Sequence, residues 1–340
     1  MKTKFINKYP FFIAELSGNH NGDIRKAKKL IYLAKKNGAD AVKLQTYTPD
    51  MMTLRSTKFK IKSGIWKNYD LWNLYKKAQT PLEWHNELFE YAKKLKIKIF
   101  STPFSIEGVN FLESLGVQIY KISSFEMNDA SLVKAVAKTK KPIILSTGLA
   151  NMKEIGKSVK IAKKYGCKDL TLLYCVSNYP SKKNDFNLNM IDDLKKKFNC
   201  TVGLSDHSKG SEIACLSIVK GAKIIEKHIC LNNIKSVDSE FSLKDNEIKN
   251  FRNDITNAYQ LVNTKIKKFG TVQKNSIFRR SIYATKNIKK GEKFTTKNIK
   301  TFRPELGLSA SYYLNILNKK SPYNIKIGKP LSKTITSKLY

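Results

Sequence analysis

Eight short apolar runs, each followed by a longer amphipathic run, fill the chain from Phe11 to Asn263. The first run is FFIAEL and the second is AVKLQT. They continue through IKIFSTP, IYKISS, PIILSTG, LTLLYCVSNYP and TVGLSDHS to KIIEKHI. Nearly continuous apolar runs of this length suit strands buried on both faces of a parallel sheet. Eight strand–helix units in about 260 residues are the signature of a (β/α)8 TIM barrel. A doubly wound open sheet is the alternative, but no G-x-G-x-x-G follows the first run.

The helical segments carry their own punctuation. Asp23 caps a helix whose apolar face is Ala27, Leu30, Ile31 and Ala34, and Gly38 stops it. Thr80-Pro81-Leu82-Glu83 reads as a capping box with proline at the first helical position, predicting a helix from there to Lys96. Asp129 caps another helix, and the last one is expected from Lys244 to Asn263. Between the second strand and the Thr80 helix lies a long polar insertion, Arg55 to Lys77, carrying Trp66, Tyr69 and Trp72. An insertion of that length at a strand's C-terminal end is expected to be a functional lid.

The pattern changes after Asn263. Residues 1–263 read as the barrel and 264–280 as a basic linker without a clear period. Residues 281–340 show short alternating runs with Lys-Lys-Gly-Glu and Ile-Gly-Lys-Pro turns. They predict a small, mostly β domain whose modest core favours docking on the barrel or on a neighbouring subunit.

The chain carries a formal net charge of +37, which raises nucleic-acid or polyanion binding as an alternative function. Arginine occurs only at positions 25, 55, 252, 279, 280 and 303, and lysines are spread through every helical segment. Base readout leans on arginine and a recognisable module, so the charge reads as solvated helix faces that also attract an anionic small substrate. The cysteines at 167, 175, 200, 215 and 230 are odd in number and form no C-x-x-C pair, which suits a reducing cytoplasm. No apolar run is long enough to cross a bilayer, and the basic N-terminus passes into a strand without a small-residue cleavage site.

Reactive groups of a barrel sit at the C-terminal ends of its strands. Those ends hold Glu15, Lys43, Gln45, Ser101, Thr102, Lys121, Ser124 and Glu126. Further along come Ser146, Thr147, Tyr179, Asp206, His207, Lys227 and His228. Taken singly, each is a satisfied loop residue. Taken together, they describe one polar mouth. Lys43, Lys121, Ser124, Ser146 and Thr147 form a cradle for a phosphate or carboxylate. His207 and His228 either serve as hydrogen-bonded structural groups or give a divalent first-row metal a foothold. Glu15 and Glu126 remain for proton transfer or for binding sugar hydroxyls. The residues alone reach a metal-assisted lyase, aldolase-like or phosphoenolpyruvate-using enzyme.

The segments IAELSGNHNGD, GADAVKLQTYTPD, FSTPFS, YKISSFE, PIILSTG, GLSDHS and EKHI resemble the sialic acid synthase family. RRSIYATKNIKKGEKFTTKNI and FRPELGLS resemble the antifreeze-like (SAF) domain that these enzymes carry. SGNHN, LQTYTPDMMTL and DSEFSL look most like the pseudaminic acid synthase branch, whereas N-acetylneuraminate and legionaminate synthases are its nearest alternatives.

The resemblance implies condensation of phosphoenolpyruvate with an N-acetylated amino-aldose, here 2,4-diacetamido-2,4,6-trideoxy-altrose. By it, Lys43, Lys121, Ser124, Ser146 and Thr147 hold phosphoenolpyruvate, and Glu126 handles the water added at C2. His207 and His228 bind a divalent cation, manganese or otherwise magnesium or cobalt. Glu15, Gln45, Tyr179 and Asp238 contact the sugar. A homodimer is implied, with Arg303 of one subunit reaching the barrel of the other. Ser177 stands where N-acetylneuraminate synthases carry an asparagine, and the loop from His228 to Asp238 is about one residue short of the family pattern.

Overall fold

The computed structural model describes residues 5, 6, 8–56, 58–264 and 276–338. The chain divides into two compact units, Met1–Thr264 and Lys265–Tyr340. Most of the expected linker, 265–275, lies outside the described residues.

The first unit begins with β1 (Phe11–Glu15), α1 (Ile24–Lys36) and β2 (Ala41–Thr46). Next come α2 (Pro49–Met52), α3 (Leu71–Ala78), α4 (Trp84–Lys94), β3 (Lys98–Pro103) and α5 (Ile106–Ser114). β4 (Tyr120–Ile122), α6 (Ala130–Lys138), β5 (Ile143–Ser146), α7 (Met152–Lys164) and β6 (Leu170–Cys175) follow. α8 (Asn189–Phe198), β7 (Thr201–Asp206), α9 (Glu212–Val219) and β8 (Ile224–Cys230) complete the eight units, before a short β9 (Leu243–Lys244) and α10 (Ile248–Asn263). Each strand pairs in parallel with the next, and β1 pairs with β8, so the sheet closes into a barrel. β9 is added to the end of β8, Ile229 opposite Leu243.

Alternation along the strands divides the core into two layers. Phe11, Ile13, Ala41, Phe100, Ile144, Leu173 and Ile224 fill the barrel interior. Phe12, Ala14, Val42, Leu44, Leu145, Leu204 and Ile225 face the surrounding helices. Inward parity then carries Glu15 on β1, Lys43 and Gln45 on β2, and Lys121 on β4 toward the barrel mouth. It does the same for Ser146, Ser205, Glu226 and His228.

The helices after Asp23 and Asp129 start where the sequence predicts, and the caps have local reasons. Asp23 accepts the Arg25 N–H at the start of α1. Asp129 accepts the Ser131 and Leu132 N–H groups of α6. Asn151 and Glu154 form a reciprocal capping box on α7. The predicted start at Thr80 is corrected: α4 begins at Trp84, and Glu83 makes no side-chain cap. The Thr80 hydroxyl is instead buried against Nε2 of His20, 3.1 Å away, so a tertiary partner takes the oxygen that would have capped the helix. The insertion expected as a lid contains most of α3, capped by Asp70, and a bridge between Lys60 and Asp70.

The second unit has its own core of Ile282, Ile288, Phe294, Ile299, Leu308 and Leu331 among others. Its β structure is sparser than the alternation suggests. β10 (Ser281–Ala284) and β11 (Ile299–Phe302) form one antiparallel ladder. The remaining pairings are isolated bridges such as Ile288 with Ile325, and a short α11 (Tyr313–Ile316) follows. No helix among the described residues is long and apolar enough to cross a membrane.

Candidate active site

The barrel mouth opens on a cavity of about 330 Å³. Lys43, Gln45, Lys121, Ser124, Glu126 and Ser146 line it, together with Tyr179, His207, His228 and Asp238. Ten of the sequence-selected residues thus meet in one space.

Four buried charges form its floor. Lys43 Nζ lies 2.5 Å from Glu15 Oε2 and 4.0 Å from Glu226 Oε1, and Lys121 Nζ lies 3.6 Å from the same Glu226 oxygen. The Ser205 hydroxyl donates to Glu226 Oε1 at 3.1 Å, and Lys43 donates to Thr102 Oγ1 at 3.2 Å. Burial pushes the Glu226 carboxyl up, but Lys121 and Lys43 outweigh it and hold the group below its ordinary value. Burial likewise works against the Lys43 ammonium, and Glu15 and Glu226 overcome it, so Lys43 is held above the usual lysine range. For Lys121 burial prevails over Glu226, and its ammonium is pulled down. Burial raises Glu15.

One flank of the cavity is made by the turns after β4, β5 and β6. Ser124 Oγ donates to Cys175 Sγ at 3.3 Å and accepts the Gly148 N–H at 3.3 Å. A Cβ on Gly148 would stand 2.2 Å from Ser177 Oγ and 2.9 Å from Ser124 Oγ, so only glycine permits this approach. The Ser146 hydroxyl is buried without a hydrogen-bond partner among the described residues. Glu126 is raised by burial, against the opposing pull of the Ser123 hydroxyl that donates to it.

The histidines stand opposite, ring centroids 5.4 Å apart. His207 Nδ1–H donates to the Val176 carbonyl at 3.0 Å, which leaves its Nε2 lone pair free. His228 Nδ1 is buried with no hydrogen-bond partner, and burial with the nearby His207 keeps this ring neutral. The Asp238 carboxylate lies 3.9 Å from that nitrogen, accepts from Ser17, and is pushed up to about 6 by burial. A neutral orphaned imidazole beside one with a fixed tautomer is the donor chemistry of a divalent transition metal. Among the described residues no group of three or more His, Cys, Asp or Glu side chains gathers at one point. The residues present thus fit a divalent cation through two imidazoles.

Some polar strand ends do not enter the cavity. Asp206 and Lys227 have the outward parity: they pair at 2.7 Å behind the sheet, with the Lys227 ammonium 5.7 Å from the Phe251 ring of α10. Thr147 donates its hydroxyl to the Leu173 carbonyl at 3.2 Å. Glu15 lies beneath Lys43, fully buried, rather than on the cavity wall. Arg303 is exposed on the second unit. Sequence reasoning missed Glu226 and Ser205, although each sits two residues before a selected histidine and so shares its face. It also missed Ser17 and Phe241, which line the cavity from loops, as does Trp66 of the expected lid.

The NeuB family model matches residues 30–267, and the SAF domain model matches residues 279–334. The chain is 46% identical over 329 residues to pseudaminic acid synthase of Campylobacter jejuni, covering 96% of both chains. It is 44% identical over 328 residues to pseudaminic acid synthase of Helicobacter pylori, covering 95% of this chain and 96% of that one. N,N'-diacetyllegionaminic acid synthase of Campylobacter jejuni is 38% identical over 327 residues, 94% of this chain and 98% of the relative. Among solved structures, the N-acetylneuraminic acid synthetase of Leptospira borgpetersenii superposes with a TM-score of 0.71 at 32% identity, over 79% of this chain and 91% of that one. A barrel of eight parallel strands, a second unit matching the SAF domain and full-length relatives of one kind converge: the chain belongs to the NeuB family.

Proposed function

We propose that the chain is a pseudaminic acid synthase, condensing phosphoenolpyruvate with 2,4-diacetamido-2,4,6-trideoxy-L-altrose and water to give pseudaminic acid and phosphate. The observation that carries this reading is the convergence of two buried ammonium groups, Lys43 and Lys121, with the imidazoles of His207 and His228 in one cavity. Full-length relatives at 44% and 46% identity support the choice of acceptor.

In this reading Lys43, Lys121, Ser124 and Ser146 hold phosphoenolpyruvate. The unpartnered Ser146 hydroxyl supplies a donor with no competing acceptor. Thr147 and Glu15 act at one remove, Thr147 bracing β5 and Glu15 orienting Lys43. Gln45, Tyr179 and Asp238 contact the sugar. His207 and His228 hold a divalent cation, manganese or else magnesium or cobalt, which when bound polarises the acceptor aldehyde. C3 of the enol forms a bond to the aldehyde carbon, leaving C2 cationic. Water then bonds to C2, and one of its protons passes through Glu126, whose carboxyl is raised by burial, to the former aldehyde oxygen, which becomes a hydroxyl. The C2–O bond to phosphate breaks, phosphate leaves with the other proton of that water, and C2 becomes the 2-keto group.

We assign the working assembly as a homodimer in which Arg303 of one subunit completes the other's site, the barrel carrying the chemistry and the SAF domain that arginine. A cytoplasmic setting accords with five cysteines that form no disulfide.

The test is phosphate release from phosphoenolpyruvate and manganese with each candidate aldose. Release with the trideoxy-altrose supports the reading. Release with N-acetylmannosamine or the legionaminate precursor alone replaces the acceptor, and no release with any aldose removes the enzyme reading.

A further inference from the structure

The segment between β2 and α4 lines part of the cavity. Its helix α3 is divided lengthwise. Leu71, Leu74, Tyr75 and Ala78, spaced at one helical face, line the cavity. Asn73, Lys76 and Lys77 lie on the opposite, exposed face. Ile61 and Trp66, upstream of α3, extend the same wall, while Lys58, Lys60, Lys62 and Lys67 stay exposed. A strongly basic segment thus presents no ammonium to the cavity.

The wall is fixed to the metal side. The Trp66 indole N–H, its only side-chain donor, donates to the Val237 carbonyl at 2.9 Å and also acts on the neighbouring Asp238 carboxylate. The Trp66 ring lies 5.2 Å from Tyr179, which lies 4.4 Å from His207. The Trp66 end of the apolar surface is therefore linked to the His207 imidazole through the single ring of Tyr179.

We propose that Ile61, Trp66, Leu71 and Leu74 form the specificity wall of the acceptor, receiving its deoxygenated C6 methyl end and rejecting a hydroxymethyl there. This rests on the proposed reaction and names the residues that choose its acceptor. A hydroxyl pressed on this wall gives up water without finding a partner, a penalty that in an apolar pocket discriminates by about tenfold to a hundredfold.

The test compares two 2,4-diacetamido-2,4-dideoxy aldoses of one configuration that differ only at C6, methyl against hydroxymethyl, with Leu71→Asn and Leu71→Ile as variants. Leu71 is partly exposed, and thermal melts check that each variant folds. The expected result is a kcat/KM preference for methyl of at least about tenfold. Leu71→Asn should shrink that preference severalfold with the KM for phosphoenolpyruvate unchanged, and Leu71→Ile should keep it. Equal use of both aldoses, or a preference unmoved by Leu71→Asn, overturns the wall while leaving the reaction standing. Absence of phosphate from both overturns the reaction. Calorimetric affinities of the manganese-loaded protein for the two aldoses then decide the wall, with equal affinity rejecting it.

Discussion

Lys43 Nζ and Glu15 Oε2 lie 2.5 Å apart in a region almost sealed from solvent. With Lys121 and Glu226 they make a floor of two ammonium and two carboxylate groups. A buried lysine at an anion site is useful only while it stays charged, and burial alone would discharge it.

Lys121 depends on Glu226 for that charge, because Glu226 is the largest influence opposing burial. Glu226→Gln keeps an acceptor for Ser205 and removes the charge. The expected outcome is an alkaline limb of kcat/KM for phosphoenolpyruvate that moves to lower pH, since Lys121 then loses its proton sooner. Roughly tenfold or greater loss at the alkaline end, with a smaller loss near neutrality, is the expected scale. An unshifted pH profile would contradict it.

Gly148→Ala places a methyl 2.2 Å from Ser177 Oγ and 2.9 Å from Ser124 Oγ. Ser124 must swing away from its position between Cys175 and the Gly148 N–H. Steady-state kinetics should show kcat/KM for phosphoenolpyruvate reduced by about a hundredfold, the cost of misplacing a binding group by an ångström. Wild-type kinetics from this variant would remove Ser124 from the site.

Chelation should abolish turnover, and manganese should restore it. His228→Ala, which deletes the imidazole carrying the orphaned nitrogen, should weaken manganese binding by at least about a hundredfold in calorimetry. Activity that survives complete metal removal would return both histidines to a structural role.

His20 sets an acid limit on stability. Its Nδ1 accepts the Gly22 N–H and its Nε2–H donates to Thr80, so the buried ring is neutral and its pKa is pushed down to about 4. Between that value and the ordinary 6.5 the unfolded chain binds a proton that the folded chain refuses. Stability should therefore fall as pH drops through this window, by up to about 3 kcal/mol from this residue. His85, also depressed by burial, acts in the same direction. Denaturant titrations should show a shallower slope in His20→Gln.

Arg303→Ala and His207→Ala should each be nearly inactive as homodimers. Co-refolding the two should restore part of the activity, because one mixed site then holds both wild-type parts. Mixed dimers that stay inactive would count against an arginine acting across subunits.

The barrel was legible because its signals are local. AVKLQT is β2, Ala41–Thr46, and Asp23 caps α1 as its sequence position implies. Parity was legible too, but reading every polar strand end as facing one mouth placed Lys227 and Asp206 wrongly. Their pairing behind β7 and β8 follows from the period-two rule applied strictly. Glu226 was within reach of the same rule. The anchor of Trp66 was not, since Val237 is 171 residues away and no local pattern reports such a contact. Thr80 shows the converse, a local capping signal overridden by a distant histidine.

The lysines, serines and imidazoles of the cavity belong to strands or to the turns that end them, whereas Ile61, Leu71, Leu74 and Tyr75 belong to one contiguous inserted segment. With the proposed wall in that segment and the proposed phosphoenolpyruvate groups on the strands, a change in the segment would alter which aldose fits while leaving the strand-borne groups in place. Acceptor choice would then be uncoupled from bond making, and that one segment would be open to divergence or engineering while the reaction stays constant.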